Sequence, residues 1–331
     1  MSDSYDFRCR SRNVPMTPHA RSAFVYAPLF FEPVPPSARL SPAAADRQFE
    51  AVVRVVEQIP RIDAINVPEL LDENHDGRPY YRTSDPRLYT RRIAERTGRL
   101  GIVNKVVAHL TDAEHVRRWA EETTALGVRH AVLIGGNSRF IPYPGPPVIE
   151  ANRVCEPVFA RVGGGIGNVA IPHRMGEADR MLAKTKAGCT FFTTQIIYDA
   201  EPALTTLVAY GERCVVSGIA PAPVLLSLAP LTDEADVEFV RWLGAEVPLA
   251  VEDAVLAAAE FGGTAGAEAS TSRAVQVYEQ IRRGVAAKAP RLLLGVNVEQ
   301  ISARHLPLVV PILEAIAQAL PAPAHVPSAA D

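Results

Sequence analysis

Residues 177–199 read Glu177-Ala-Asp-Arg-Met-Leu-Ala-Lys-Thr-Lys-Ala-Gly-Cys-Thr-Phe-Phe-Thr-Thr-Gln-Ile-Ile-Tyr-Asp199, and the fold is decided here. Ala178, Met181, Leu182 and Thr185 recur at helical spacing, and Gly188 supplies a stop. The segment 189–195 then reads as a buried strand that ends in the polar run Thr193-Thr194-Gln195. One helix followed by one strand with a polar carboxyl end is the repeating unit of an α/β protein, and ligands sit at that end of a parallel sheet.

The same alternation runs outward in both directions. Strands are expected at 23–32, 63–67, 100–107, 128–134, 166–171, 189–195, 223–228 and 292–297. Ser41 and Pro42 open the first helix as cap and first-turn proline, with Phe49, Val52, Val53, Val56 and Ile59 on its inner face. Thr111 with Glu114 reads as the capping box of a helix carrying Val116, Trp119 and Ala120. Further helices are expected at 147–162, 177–187, 201–212, 233–243, 251–261, 271–287 and 302–320. Eight strands, one about every 30 to 40 residues, fit a single (β/α)8 TIM barrel over 22–320; a doubly wound open sheet is the alternative. Residues 1–21 read as a loose leader and 321–331 as a Pro/Ala-rich tail.

Composition narrows the function. With 48% hydrophobic and 21% charged residues among 331, the chain can bury one large core. A net charge of -3 with no Lys/Arg block gives no electrostatic case for nucleic acid or an anionic membrane. Cys9, Cys155, Cys189 and Cys214 are scattered without a CxxC pair, so neither a disulfide framework nor a thiolate metal site is expected. No apolar run reaches the length of a membrane span or forms a secretory signal, and the expected location is cytoplasmic.

In a barrel, the chemistry belongs where strands end. The candidates are Glu32, Pro68 with Glu69, His109, Asn137, Gln195 and Asn297. Glu32 follows Ala27-Pro-Leu-Phe-Phe31, and partial burial would raise its pKa and suit a general acid. Each has a plainer reading: His109 as a satisfied structural histidine, Asn137 as turn chemistry after Gly135-Gly136, Gln195 as a loop cap. Asp72, Glu73 and Asp76 lack the calcium-loop pattern and read as a solvated loop, and no metal is expected. Gly163-Gly-Gly-Ile-Gly167 precedes a strand rather than following one, so it reads as a turn and not a phosphate loop.

At these residues the chain resembles the methylenetetrahydrofolate reductase family. Phe31-Glu32-Pro-Val-Pro-Pro36 is similar to its first-strand motif, Val107-Ala-His109-Leu-Thr111 to its Pro-His-Leu-Thr, and 184–199 to its Lys-x-x-Ala-Gly-Ala…Thr-Gln run. Arg129-His130 with Gly136-Asn137 echoes its Arg-His…Arg-Gly-Asp. The resemblance implies a barrel that reduces 5,10-methylenetetrahydrofolate to 5-methyltetrahydrofolate in one-carbon metabolism and methionine biosynthesis, with NADH or NADPH as hydride donor. It gives Glu32 the role of acid, Gln195, Asn137, Tyr198 and Asn297 a place on the substrate, and His109, Gly136 and Lys184 a place on the cofactor.

The family's FAD shell is eroded in this chain. Gly135 stands for an arginine, Pro68 for a threonine, Ala183 for an arginine, and Ile171-Pro172-His173 for a longer Tyr-Pro-Glu-x-His segment. Losing guanidinium clamps and a stacking tyrosine implies weak FAD binding. A short actinobacterial branch of the family that passes hydride directly is similar to this chain in its Glu-x-Val-Pro-Pro motif and its Asp-Glu-Asn-His-Asp-Gly-Arg-Pro loop. The alternatives are a flavoenzyme acting on another imine or pterin and a non-catalytic folate-binding protein. The expected partner is a small-molecule folate, with a homo-oligomer as the expected assembly.

Overall fold

In the computed structural model the described residues are 26–73, 78–136 and 140–322. The leader 1–21, Asp76, Asn137 and the tail from 323 onward lie outside them. The barrel strands are β1 (Leu29–Glu32), β2 (Ile62–Val67), β5 (Leu100–Val106), β6 (His130–Ile134), β7 (Gly165–Ala170), β8 (Cys189–Thr194), β9 (Val224–Leu228) and β10 (Leu294–Glu299). They pair in parallel and close in the order β1-β10-β9-β8-β7-β6-β5-β2, which is the expected (β/α)8 barrel rather than an open sheet.

The surrounding helices are α1 (Pro42–Gln58), α2 (Pro86–Thr97), α3 (Ala113–Ala125), α4 (Val148–Ala160), α5 (Glu177–Lys186), α6 (Ala200–Val216), α9 (Ala265–Lys288) and α10 (Leu306–Ala319). Short polar side chains cap four of them, α1, α2, α3 and α6. Ser41 accepts from the Ala44 amide with Pro42 in the first turn, as the sequence predicts, and Asp85 and Asp199 cap α2 and α6 in the same way. At α3 the cap is Asp112, which accepts from the His115 amide, so the expected Thr111–Glu114 box does not form. Glu114 instead pairs with Arg117 one turn on.

Three features of the fold bear on function, two of them departures from the sequence reading. The long segment after β2 is not wholly loop: β3 (Leu71–Glu73) and β4 (Pro79–Tyr81) pair as an antiparallel hairpin over the mouth. Between β9 and β10, α7 (Glu234–Trp242) and α8 (Leu249–Glu260) precede α9, in line with the helices expected at 233–243, 251–261 and 271–287. Their inner faces, with Ile196, Tyr198, Leu231 and Val247, form a separate apolar cluster above the β8–β9 side of the mouth. Finally, β10 runs two residues beyond the expected end at Asn297 and so carries Glu299 on the strand.

Inside the barrel, alternate residues form two layers. The lower is apolar, with Phe30, Ala64, Ile102, Val132, Phe191 and Leu225 in one buried cluster. Gly167 makes room for it, since a Cβ there would stand 2.5 Å from the Phe191 ring. Two residues further along five of these strands stand Glu32, Asn66, Asn104, Thr193 and Ser227, with Asn297 beside them on β10, five of the six buried and Glu32 partly so, while β6 continues apolar at Ile134. The change from hydrocarbon to amide and carboxyl within one strand turn defines the floor of the mouth. Among the described residues no helix is long and apolar enough to cross a membrane.

Candidate active site at the carboxyl end of the barrel

Glu32 is the last residue of β1, and the period of two carries its carboxyl onto the same inner side as Phe30. Asn66 Nδ2 donates to its Oε2 at 2.6 Å and Asn297 Nδ2 donates to the same oxygen at 2.7 Å. Asn104 Nδ2 lies 3.5 Å from Oε1. Burial holds the Glu32 pKa well above the usual carboxylate range, and the nearby charge of Glu299 adds to it; the two amide donors act the other way but do not prevail. Burial is thus the main cause, as the sequence reading expects, and the second acid at the rim adds to it.

The sequence pattern ends this strand at Asn297 and so leaves out the second acid, which β10 carries at its last position. Glu299 is the Cα register partner of Glu32 across β1 and β10. Asn297 Nδ2 reaches its Oε1 at 3.3 Å, and Ser227 hydrogen-bonds to it as well. Burial pushes the Glu299 carboxyl up to about 7. A Glu at i+2 from an inward Asn at a strand's end was the available signal.

The amides around Glu32 leave acceptors over. Asn66 Oδ1 and Asn104 Oδ1 are buried with no hydrogen-bond partner. Tyr198 is 4% exposed, and its hydroxyl also lacks a partner. Burial raises the Tyr198 pKa, with Glu299 and Asp236 contributing. Buried polar atoms are normally paired, so orphans gathered around one rim mark a place built to receive a polar ligand.

The structure brings Glu32, Asn297 and Tyr198 to this rim. Gln195 follows β8 at the same end, but its amide is engaged: Nε2 donates to the Leu243 carbonyl at 2.9 Å and Oε1 accepts from the Ile196 amide at 3.0 Å. One Nε2–H and one Oε1 lone pair of the amide are not used by these two bonds. His109, Gly136 and Lys184 do not join Glu32. His109 Nε2 lies 2.8 Å from Glu73 Oε1 on the hairpin, and Glu73 also accepts from the Tyr143 hydroxyl at 2.7 Å. Gly136 backs onto the Tyr143 ring, where a Cβ would come within 2.2 Å. Lys184 Nζ donates to the Val169 carbonyl at 2.7 Å and lies 3.5 Å from Glu177, a buried carboxylate already paired with Arg174. Burial lowers the Lys184 pKa, while Glu177 opposes it.

Beside the mouth, a cavity of about 310 Å³ lies between the β5 end and α2–α3, lined by Glu69, Tyr81, Arg87, Asn104, Lys105 and Trp119. Lys105 and Glu69 form a buried pair at 2.6 Å within it.

A scan against protein-family models and a search of curated proteins each give no match. Among solved structures, the chain is similar to one described as an uncharacterized protein from Clostridium thermocellum that binds two copies of 5-methyl-5,6,7,8-tetrahydrofolic acid. The TM-score is 0.71 at 16% identity, over 91% of this chain and 100% of that one. At that identity the similarity is one of fold.

Proposed function

We propose that the protein is a folate-binding reductase that converts 5,10-methylenetetrahydrofolate to 5-methyltetrahydrofolate with NADH or NADPH. The observation that carries the reading is the Glu32 carboxyl, set in a ring of asparagines at the barrel's carboxyl end where burial raises its pKa well above the usual carboxylate range. A ring-opening step needs such an acid. Glu32 gives its proton to N10 as the bond from N10 to the bridging carbon breaks, and the N5 lone pair forms the exocyclic iminium. Hydride from the dihydronicotinamide then adds to that carbon, giving the methyl group and the oxidised nicotinamide. The orphan carbonyls of Asn66 and Asn104 suit the N–H donors of a pterin, and Asn297 holds Glu32 in place. The Clostridium protein of similar fold is described as binding 5-methyl-5,6,7,8-tetrahydrofolic acid, which supports a folate as the ligand.

Flavin does not fit this reading. Most polar groups that the family resemblance would assign to it are engaged within the chain: His109 Nε2 by Glu73, with Nδ1 left unpartnered, Lys184 by Val169 and Glu177, and the face of Gly136 by Tyr143. No step is therefore routed through FAD.

The test is NADH or NADPH oxidation by purified protein with methylenetetrahydrofolate. Turnover by colourless protein is the expected result. Folate binding without turnover would favour a non-catalytic folate carrier, and a bound flavin spectrum would overturn direct transfer.

A further inference from the structure

We propose that Glu299 acts through Glu32: the two side chains hold one proton between them at neutral pH, and Glu299 returns to Glu32 the proton lost in each turnover. The destination of that proton rests on the reductase reading above, whereas its sharing rests on the geometry of the pair. The two residues are register partners on adjacent strands, both side chains point into the mouth, and one amide group, Asn297 Nδ2, spans them at 2.7 Å and 3.3 Å. Like carboxyls so placed do not ionise together, because each negative charge raises the cost of the other in a poorly solvated site.

The groups facing the pair reinforce this. Ser227 on β9 and Asn66 and Asn297 on β2 and β10 are neutral hydrogen-bonding groups. Tyr198, from the loop after β8, is a phenol kept neutral by burial, and Asp236 on α7 beyond it is acidic. Among the described residues no Lys or Arg hydrogen-bonds or ion-pairs with either carboxyl, so nothing offsets a second negative charge. Chemistry supplies the need. Reduction of methylenetetrahydrofolate consumes one proton overall: N10 keeps the proton it takes from Glu32 on ring opening, the bridging carbon keeps the hydride, and Glu32 is left as a carboxylate. A neighbour poised near neutrality restores it from solvent, being itself partly exposed at the rim.

The test combines a titration with a pH–rate profile. In the wild-type protein, carboxylate infrared or ¹³C-glutamate NMR should show the pair losing protons in two separated steps, with one proton retained at pH 7. Both carboxyls ionised by pH 5 would overturn the proposal. Glu299→Gln keeps the shape and hydrogen bonds; it should move the Glu32 midpoint down and cut kcat at pH 8 about 10- to 100-fold, with recovery towards pH 6, unchanged folate affinity and partial rescue by Glu299→Asp. Superposable pH profiles of the variant and wild type would sink it. Two-step titration in a protein without reductase activity would support the shared proton and overturn only the reaction assigned to it.

Discussion

Tyr143 donates its hydroxyl to Glu73 at 2.7 Å, and this bond fastens the loop after β6 to the hairpin inserted after β2. His109 holds the same carboxylate from below, so three strand-end segments meet on one acid. Tyr143→Phe removes one bond to a charged acceptor and should weaken the closure by about 1.5–3 kcal/mol. Faster amide exchange at Leu71–Glu73 with an unchanged global melting temperature is the expected outcome; unaltered exchange would show that the hairpin is held without Tyr143.

Glu32→Gln retains the size and most of the polar contacts of the side chain but cannot donate the proton. Turnover should fall by at least about 100-fold, the usual scale for general acid catalysis, while folate binding by calorimetry stays within about threefold of wild type. A variant with normal turnover would remove Glu32 from the chemistry.

The carboxyl pair sets a pH dependence of stability. The folded-state pKa of Glu299 is raised from 4.5 to about 7, so its contribution is complete below the unfolded value and is lost as pH rises through 7. Fully ionised, the group costs on the order of 3 kcal/mol. Glu299→Gln should accordingly melt a few degrees above wild type at pH 8 and lose that advantage at pH 5, as read by calorimetry at both values.

Asp236 and His305 give the opposite sign. The Asp236 carboxylate lies 2.7 Å from His305 Nε2, with the two side chains 0% and 1% exposed, and Thr232 and Arg304 complete its shell. Although burial works against it, hydrogen bonds from His305 and Thr232 draw its pKa from 3.8 down to about 2. That stability is present above the unfolded value and lost as pH falls from about 4 through 2. Asp236→Asn should cost about 3–5 kcal/mol near neutrality, and in urea melts the gap to wild type should close towards pH 2.

Phe191 is fully buried on the inner side of β8, in contact with His130 and facing Gly167. Phe191→Ala should destabilise the barrel by about 3–5 kcal/mol through lost burial and the cavity left behind. Chemical denaturation checks this, and a smaller loss would mean that neighbouring strands collapse into the space.

Most of the barrel was legible because each helix and strand buries a face, and burial imprints a period of 3.6 or 2 on the residues. The acid at Glu32 was legible for the same reason, being polar at the end of an apolar run. What escaped depends on contacts across strands. Glu299 matters through its register with Glu32, 267 positions away in sequence (299 − 32), and no local pattern encodes register around a closed ring. The Asn66 and Asn104 amides look like ordinary strand residues until closure gathers them. Likewise, nothing near His109 or Lys184 announces that Glu73 and Val169 claim them, since those partners come from other units. Asp112 displaced Thr111 as the α3 cap by the smallest margin, one residue, where boundary signals are weakest.

The hydrocarbon layer of Phe30, Ile102, Val132, Phe191 and Leu225 stoppers the barrel from beneath. A cul-de-sac has one door. For the proposed reaction, whichever heterocycle lies deeper is trapped until the outer one departs, so traffic through the enzyme would be ordered by depth rather than by affinity.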